Sequence, residues 1–416
     1  MKFFISLFLF SGFLVSCKDD KDGGARSDKS NSVFTVTPIV SPAKDSCGEP
    51  FLFTDQQGLV YFSWIEKISG KYHLRFSTLE KNDQWSDPIT IASGNEWFVN
   101  WADYPVIMSD GNNNLAAHYL QKSSTGTYSY DIHFLMSSDK GKSWKNRGLL
   151  NDDGLPAEHG FVSMSPFGDK IFVSWLDGRE TAKDNMPDAK ANVKAEHKEH
   201  HGQMTLRGAI LDSNGNKEKE WQLDDRVCDC CQTSAAVTDN GPVVVYRDRS
   251  AEEIRDLDIV RFVNGKWTTP SIIFPDHWKI DGCPVNGPRI DASGNVLGIA
   301  WFTMKDNEGE VKVVFSEDGG ATFGNPIRVN DHKSIGRVDL VMIDSATAMV
   351  SWMEGPVIKA AKVYSKGVKD QSVIIAQSSE SRAGGFPQMT KSGENIIFAW
   401  TDDKTRSIKT ARSKIR

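Results

Sequence analysis

A strand pattern that repeats about every fifty residues is the strongest constraint on the fold of this chain. Each unit contains a short apolar strand, a turn rich in Gly, Asn and Asp, a second apolar strand ending near an aromatic residue, a polar loop and two further strands. The second strands align best, at residues 60–64, 115–119, 171–175, 243–246, 297–301, 348–352 and 396–400. This pattern predicts an all-β chain folded as a β-propeller of four-stranded blades.

The number of units predicts how the ring of blades closes. We count seven units, and six blades is the alternative if one unit has been drawn incorrectly. The last unit stops after its third strand, at residues 407–412, and an unassigned strand at residues 33–40 can supply the missing outer edge. Pro38 suits an edge strand, and closure in this way leaves no exposed sheet edge. The sequence contains no convincing helix signal.

The charge balance argues against one class of partner. Charged residues make up 25% of the chain and the net charge is -6. Without a basic face the protein cannot displace counterions from a phosphate backbone, so no nucleic-acid partner is expected. Residues 33–416 are predicted to form a single propeller domain, and we expect a monomer.

The first residues resemble the leader of a bacterial lipoprotein. A short basic start precedes an apolar run at residues 3–15, which is too short to span a bilayer, and Leu14-Val15-Ser16-Cys17 resembles a lipobox. This predicts a signal peptide at residues 1–16, acylation of Cys17 and a flexible tether over residues 17–32. The protein is then expected in the bacterial cell envelope, anchored to a membrane by lipid and facing the periplasm or the exterior. A plain signal peptide with an incidental cysteine is the alternative.

Three cysteines within four positions, Cys228, Cys230 and Cys231, mark a place where chemistry or cross-linking is concentrated. With Cys47 and Cys283 they make an odd set of five, so at least one thiol is unpaired if disulfides form. We favour structural disulfides that join Cys47 or Cys283 to the triple cluster. Metal ligation, with His159 as a further ligand, and a redox or free-thiol role are the alternatives.

A second candidate for metal binding lies in the polar loop of the third unit. His197, His200 and His201 would share one face of a helix and could bind Cu or Zn. Lysine and glutamate fill the gaps between them, which favours a solvated charged loop. A metal ion is therefore a possible cofactor, and no cofactor is certain.

Propeller geometry predicts which side chains meet. The loops that lead into the innermost strands and the loops between second and third strands open on the same face, around the central channel. On that face the sequence places cysteines, acids and arginines from every unit. The residues expected to bind a ligand there are Arg179, Arg247, Arg249, Arg337, Arg382, His159, Gln232 and Asn286. The charged pairs in this set could instead be salt bridges between blades.

Two short segments point to a family. Residues 137–144 and 316–323 fit the pattern S-x-D-x-G-x-x-W/F, in which the aspartate caps a tight hairpin, the glycine supplies a positive φ and the aromatic ring packs inward. Weaker relics are present at residues 213–216 and 264–267. Together with the blade repeat, these segments resemble the Asp-boxes (BNR repeats) of sialidase-superfamily propellers.

The resemblance implies a mechanism as well as a fold. Sialidases hold a sugar carboxylate with arginines, attack with a tyrosine backed by a carboxylate and use another carboxylate as acid/base. It implies Tyr104 or Tyr246 as the nucleophile and Asp103 or Glu158 as the proton carrier. The expected function is a lipid-anchored exo-glycosidase acting on sialic or other acidic sugars. The alternative is a non-catalytic propeller that binds a glycan, a protein partner or a metal through the channel mouth.

Overall fold

The computed structural model describes residues 34–182 and 202–415. Three predictions from the sequence lie outside these residues: the signal peptide, the tether with its acylated Cys17, and the histidines His197, His200 and His201. Among the described residues, no helix is long and apolar enough to cross a membrane.

The described residues form seven antiparallel sheets arranged as the blades of a β-propeller, which confirms the all-β prediction and the count of seven. The first three blades contain these strands: β2 (Cys47–Thr54), β3 (Val60–Ile68), β4 (Lys71–Thr78) and β5 (Ile89–Gly94); β6 (Ile107–Ser109), β7 (Leu115–Lys122), β8 (Tyr130–Ser137) and β9 (Lys145–Leu149); β10 (His159–Phe167), β11 (Lys170–Asp177), β12 (Thr205–Leu211) and β13 (Lys217–Asp224).

Blades four to six follow the same plan, and two of them carry an extra short strand at the outer edge. Their strands are β14 (Ser234–Thr238), β15 (Gly241–Arg247), β16 (Leu257–Val263), β17 (Lys266–Trp267) and β18 (Ser271–Phe274); β19 (Arg289–Ser293), β20 (Val296–Thr303), β21 (Glu310–Ser316) and β22 (Ile327–Arg328); β23 (Gly336–Asp344), β24 (Thr347–Glu354), β25 (Val357–Tyr364), β26 (Val368–Lys369) and β27 (Val373–Gln377). Two single 3₁₀ turns, Lys305–Asn307 and Arg382–Gly384, interrupt this pattern of strands.

The seventh blade is built from both ends of the described chain, as the sequence predicts. It contains β28 (Gln388–Ser392), β29 (Asn395–Asp402) and β30 (Ser407–Lys414), and the outermost strand is β1 (Val36–Ile39). Strand β1 runs antiparallel to β30, with Val36 opposite Ser413 and Ile39 opposite Thr410. The N-terminal strand therefore closes the ring and covers the edge that the last unit would otherwise expose.

The second strand of each blade is buried between neighbouring blades, which explains its continuous apolar pattern. The tryptophans near the ends of four of these strands, Trp64, Trp175, Trp301 and Trp352, are at most 1% exposed. A strand buried on both faces has no polar positions to alternate with apolar ones. These large rings fill space in the core between neighbouring blades.

The two S-x-D-x-G segments form hairpins between the third and fourth strands of their blades. In the first, the Ser137 hydroxyl donates to Asp139 Oδ1 (2.7 Å) and accepts from the Gly141 amide (2.9 Å). Gly141 has a φ of 81°, and Trp144 packs edge-on against Phe76. The residues at 316–323 repeat the same bonds, with Gly320 at φ 85°. The role of these segments is local and structural.

Candidate functional site at the channel mouth

Strand register places the predicted site residues at one end of the blades. The first residue of an innermost strand lies opposite a residue at or near the end of the second strand, as in the pairs His159–Asp177 and Cys47–Glu66. The loops at both positions therefore open on the same face of the propeller. This grouping could be predicted from the sequence because it follows from antiparallel pairing alone.

A central channel of about 550 Å³ runs between the blades. All seven blades contribute to its wall, through residues 51–56, 102–106, 161–166, 232–237, 289–292, 339–342 and 388–391. A cavity of this size with a few buried polar groups at its mouth suits a small ligand or the end of a larger one.

Two carboxyl groups at the mouth of the channel share one tyrosine hydroxyl. The Tyr130 hydroxyl lies 3.1 Å from Asp103 Oδ2 and 2.9 Å from Glu158 Oε1. Asp103 also accepts a hydrogen bond from the Phe161 amide at 2.7 Å. Asp103 and Tyr130 are fully buried, whereas Glu158 is half-buried and directly precedes the first residue of β10. Both predicted acid/base residues are thus joined in one cluster.

The hydrogen bonds of this cluster require an additional proton. A phenol donates one hydrogen bond, so Tyr130 can donate to only one of the two carboxyl groups. The second contact is a hydrogen bond only if the other carboxyl is protonated and donates to the phenol oxygen. The cluster therefore binds a proton that two fully ionised carboxylates would not hold.

Burial acts in the same direction. It raises the pKa of Asp103 to about 7, against the lowering effect of the Phe161 amide and the Tyr130 hydroxyl. It also raises the pKa of Glu158 to about 8, assisted by the negative charges of Asp103, Asp229 and Cys283. Glu158 is thus a protonated acid at neutral pH, at a position that solvent can reach.

The two tyrosines named from the sequence have other partners. Tyr104 lies in the channel wall, where its hydroxyl contacts Arg289 Nη2. Tyr246 is buried, and its hydroxyl donates to Asp224 Oδ2 at 2.5 Å. Neither hydroxyl meets Asp103 or Glu158, so the tyrosine beside the acid pair is Tyr130.

His159, the first residue of β10, is the centre of a buried charge network. Its Nε2 lies 2.8 Å from Asp153 Oδ2, and its Nδ1 lies 3.1 Å from the Tyr130 carbonyl oxygen. Both neighbours are acceptors, so both ring nitrogens carry a proton and the imidazole is charged. Asp131 and Asp177 lie 3.5 and 3.8 Å from the ring. Despite burial, these carboxylates raise the pKa of His159 to about 10.

Arg179 completes this network. Its guanidinium bonds Asp177 (2.7 Å) and lies 3.3 Å from Asp153, with Asp152 and Glu220 just beyond. The Asp153, His159 and Asp177 side chains are close enough together to hold a metal ion. The charges of the imidazole and the guanidinium already neutralise these carboxylates, which leaves no role for a cation.

Arg247 supports the fold rather than facing the channel mouth. The side chain is 2% exposed, and its nitrogens donate to the backbone carbonyls of Asn286, Arg255 and Phe302 at 2.6 to 3.1 Å. These carbonyls belong to three different segments. The guanidinium therefore joins blade four to blade five.

Arg337 has a similar role in blade six. Its guanidinium donates to four backbone carbonyls in one loop, those of Ser379, Glu380, Ser381 and Gly385. The same loop carries Arg382, whose side chain is exposed. Arg337 thus shapes the loop that presents Arg382.

Arg249 lies in the loop between the second and third strands of blade four. It is 25% exposed and donates to Asp229 at 2.9 Å and to Glu253 at 2.9 Å. Arg179 and Arg249 therefore form ion pairs, whereas Arg247 and Arg337 bind backbone carbonyls. These arginines do not converge on one point beside a tyrosine.

The two predicted polar residues Gln232 and Asn286 fasten loops together. Gln232 donates to the Ala102 carbonyl (2.8 Å) and accepts from the Gly287 amide (2.9 Å). Asn286 accepts from the Arg337 amide at 2.7 Å. Both amides are used within the protein.

Four of the five thiols gather next to the acid pair. Cys228 Sγ lies 3.1 Å from Cys231 Sγ and 3.9 Å from Cys230 Sγ, and the Cys283 side chain lies near that of Cys230. All are free thiols. Cys228 and Cys231 are buried, Cys230 is half-buried and Cys283 is exposed.

Cys47 is separate from this cluster. Its thiol donates to the Asp45 carbonyl at 3.2 Å, and burial together with the charges of Glu66 and Asp45 raises its pKa to about 12. Among the described residues, no other cysteine is in contact with it. A disulfide from Cys47 to the triple cluster, one of the two predicted pairings, therefore has no support in the geometry.

Sequence reasoning missed Tyr130, Arg289, Asp229 and Arg255. Tyr130 is the first residue of β8 and Arg289 is the first residue of β19, so both begin strands at the channel end. The same register that singled out His159 would have found them. Arg255 donates to Cys228 Sγ at 3.3 Å, a contact that no local pattern indicates.

The fold defines this protein as a seven-bladed β-propeller with an acid cluster and a thiol cluster at its channel mouth. No family model matches the chain, and no curated protein is significantly similar to it. Among solved structures it is similar to the polysaccharide lyase Uly1, with 8% identity, a TM-score of 0.53 and coverage of 89% of this chain and 90% of the other.

A second similar structure is the α-L-arabinofuranosidase Arb93A from Fusarium graminearum, with 10% identity, a TM-score of 0.50 and coverage of 92% and 97%. The NanB sialidase from Streptococcus pneumoniae is also matched, with 13% identity, a TM-score of 0.45 and coverage of 91% and 71%. At these identities the first two structures establish the propeller fold alone, and the third adds no argument. The function must be inferred from the site.

Proposed function

We propose that this protein is a carbohydrate-active propeller that binds a glycan at the channel mouth and acts on it by proton transfer from Glu158. The observation that carries the proposal is the placement of the Tyr130 hydroxyl between the carboxyl groups of Asp103 and Glu158. That arrangement keeps an acid protonated at neutral pH at a site open to solvent. Enzymes that cleave glycosidic bonds need such an acid for the leaving oxygen.

The three members of the cluster have different parts in this reaction. Glu158 is the group that substrate can reach, and it would donate its proton to the glycosidic oxygen. Tyr130 and Asp103 are buried behind it and act as positioning residues that fix its orientation and its proton. Asp229, which Arg249 holds at 2.9 Å, offers a second carboxylate at the mouth. A protonated and an ionised carboxyl in different surroundings can serve as acid and base.

The class of sugar is a separate matter from the reaction. The sequence resemblance implies sialic or other acidic sugars, and one of the structural neighbours is named as a polysaccharide lyase. The arginines Arg179, Arg247 and Arg337 already have protein partners. The proposal therefore relies on the acid cluster and does not require an arginine clamp on the sugar.

The test compares leaving groups on the same sugar. Full-length protein is assayed with aryl and methyl glycosides of sialic acid and of arabinofuranose, together with glycan binding on an array. Loss of a general acid slows departure of a poor leaving group far more than that of an activated phenol. Glu158→Gln should therefore lower kcat about 100-fold or more for methyl glycosides and much less for dinitrophenyl glycosides.

The pH dependence of activity is a second test of Glu158 as the general acid. Because Glu158 must be protonated, activity should fall as the pH rises through about 8. Glu308→Gln, an exposed change on the second-to-third-strand loop of blade five, is the matched control. Equal loss on both leaving groups would remove Glu158 as the acid. Glycan binding without turnover of any substrate would favour the non-catalytic alternative.

We also propose that the chain is anchored in the bacterial cell envelope through acylated Cys17. The support is the apolar run at residues 3–15 followed by Leu14-Val15-Ser16-Cys17. A propeller held at a membrane surface by a tether would meet glycans outside the cytoplasm.

A further inference from the structure

The thiol cluster, defined as Cys228, Cys230, Cys231 and Cys283, is the other concentration of reactive groups at the channel mouth. The sulfurs of the first three lie within 4.8 Å of one another. The fourth cysteine, Cys283, approaches Cys230 from a different loop. None of these thiols donates or accepts a proton in the acid chemistry described above.

We propose that this cluster is a binding site for a soft d¹⁰ metal ion, Cu(I) or Zn(II), with Cys228, Cys230 and Cys231 as the core ligands and Cys283 as the fourth. Thiolates are the ligands that these ions prefer. Each thiol would lose its proton to solvent and form a sulfur–metal bond, with no change in oxidation state. The site is separate from the glycan proposal and does not depend on it.

The sulfur separations fit a metal better than a disulfide. With a Zn–S bond of about 2.3 Å, tetrahedral geometry places sulfurs about 3.8 Å apart. The observed separations of 3.1 and 3.9 Å lie around this value, and a shift of less than about 1 Å would equalise them. A disulfide needs sulfurs at about 2.05 Å, which is shorter than either separation.

The loops that carry the thiols are fixed before any ion binds. Cys228 donates its amide to the Arg247 carbonyl at 3.0 Å. Gln232 connects the first loop to the second through the Gly287 amide. The contact is so close that a Cβ on Gly287 would lie 2.1 Å from the Gln232 carbonyl oxygen. A site built on two loops held this firmly binds without a large ordering cost.

Charge also favours anionic sulfur at this position. Arg255 is 2% exposed, and it donates to Cys228 Sγ at 3.3 Å and to Glu253 at 2.6 Å. Its Nε has no partner among the described residues. Several thiolates cannot share a buried site without positive charge, and a metal ion supplies what one guanidinium cannot.

The experiment uses the reduced full-length protein under argon. Cu(I) and Zn(II) are titrated separately in competition with a chromophoric chelator, and X-ray absorption of the loaded protein reports the atoms around the metal. We expect one ion per chain and a shell of sulfur only. The ion that binds more tightly is the one that keeps its sulfur ligands when the other ion is also present.

Variants assign the ligands. Cys228→Ser and Cys230→Ser should each weaken binding by at least about 100-fold, since loss of even an outer-shell partner costs 10- to 100-fold. Cys283→Ser changes an exposed side chain, so it tests the site even if the buried variants fail to fold. Cys47→Ser is the matched control because it removes a buried thiol elsewhere.

Two outcomes would overturn the proposal. One is equal metal affinity in Cys47→Ser and Cys283→Ser, or a first shell without sulfur. The other is a Cys228–Cys231 disulfide in protein isolated from the envelope, together with no metal binding after reduction.

Discussion

The charge on His159 gives a prediction whose size can be worked out from the structure. The ring is buried, and both nitrogens face acceptors, Asp153 Oδ2 and the Tyr130 carbonyl. The pKa of His159 is about 10 in the folded protein and 6.5 in an unfolded chain. This difference corresponds to about 5 kcal/mol of stability.

The sign of the pH dependence follows from the direction of the shift. The folded pKa lies above the unfolded one, so the stabilisation is fully present below pH 6.5 and is lost as the pH rises through 10. His159→Gln removes the titrating group and leaves Asp153 and Asp177 with only Arg179 as a cation. The variant should therefore be several kcal/mol less stable than the wild type at pH 6, and this gap should shrink towards pH 10.5.

Urea unfolding followed by tryptophan fluorescence at pH 6, 8 and 10.5 measures the gap. His332→Gln, at an exposed histidine, is the control and should show no such trend. If the stability difference between wild type and His159→Gln is the same at all three pH values, the histidine is neutral in the fold and the argument from its two acceptors fails.

Arg247→Lys should destabilise the fold by about 2 to 4 kcal/mol, because an ammonium group cannot reach all the carbonyls that the guanidinium joins. Thermal unfolding measures this loss, and the surface change Arg328→Lys is the control. An unchanged Tm would show that Arg247 does not hold the two blades together. For the lipid anchor, cells fed an alkynyl fatty acid should label the wild-type chain and leave Cys17→Ser unlabelled; labelling of both proteins would place acylation elsewhere.

Much of the architecture was predictable from the sequence because its determinants are local. The continuous apolar second strands, the S-x-D-x-G hairpins and the spacing of the units depend on residues close together in the chain. Even ring closure by residues 36–39 followed from counting strands, since one unit lacked its outer edge. Antiparallel register then indicated which loops share a face, and this brought Glu158 and the Cys228–Cys231 stretch together.

The partners of each side chain were decided only by the tertiary structure. The sequence offered Arg247 and Arg337 as ligand clamps, but their partners are backbone carbonyls up to 55 residues away, such as Phe302. Residue identities do not reveal where backbone carbonyls lie in the fold. No sequence pattern could therefore show that these guanidinium groups already have hydrogen-bond partners.

The same reason explains Tyr130. Its hydroxyl joins the two carboxyl groups only because blade packing places it between Asp103 and Glu158, 27 and 28 residues away. Strand periods and turn chemistry are encoded along the chain and can be found there. Proton sharing and desolvation depend on distances between segments, and only the folded ring fixes those distances.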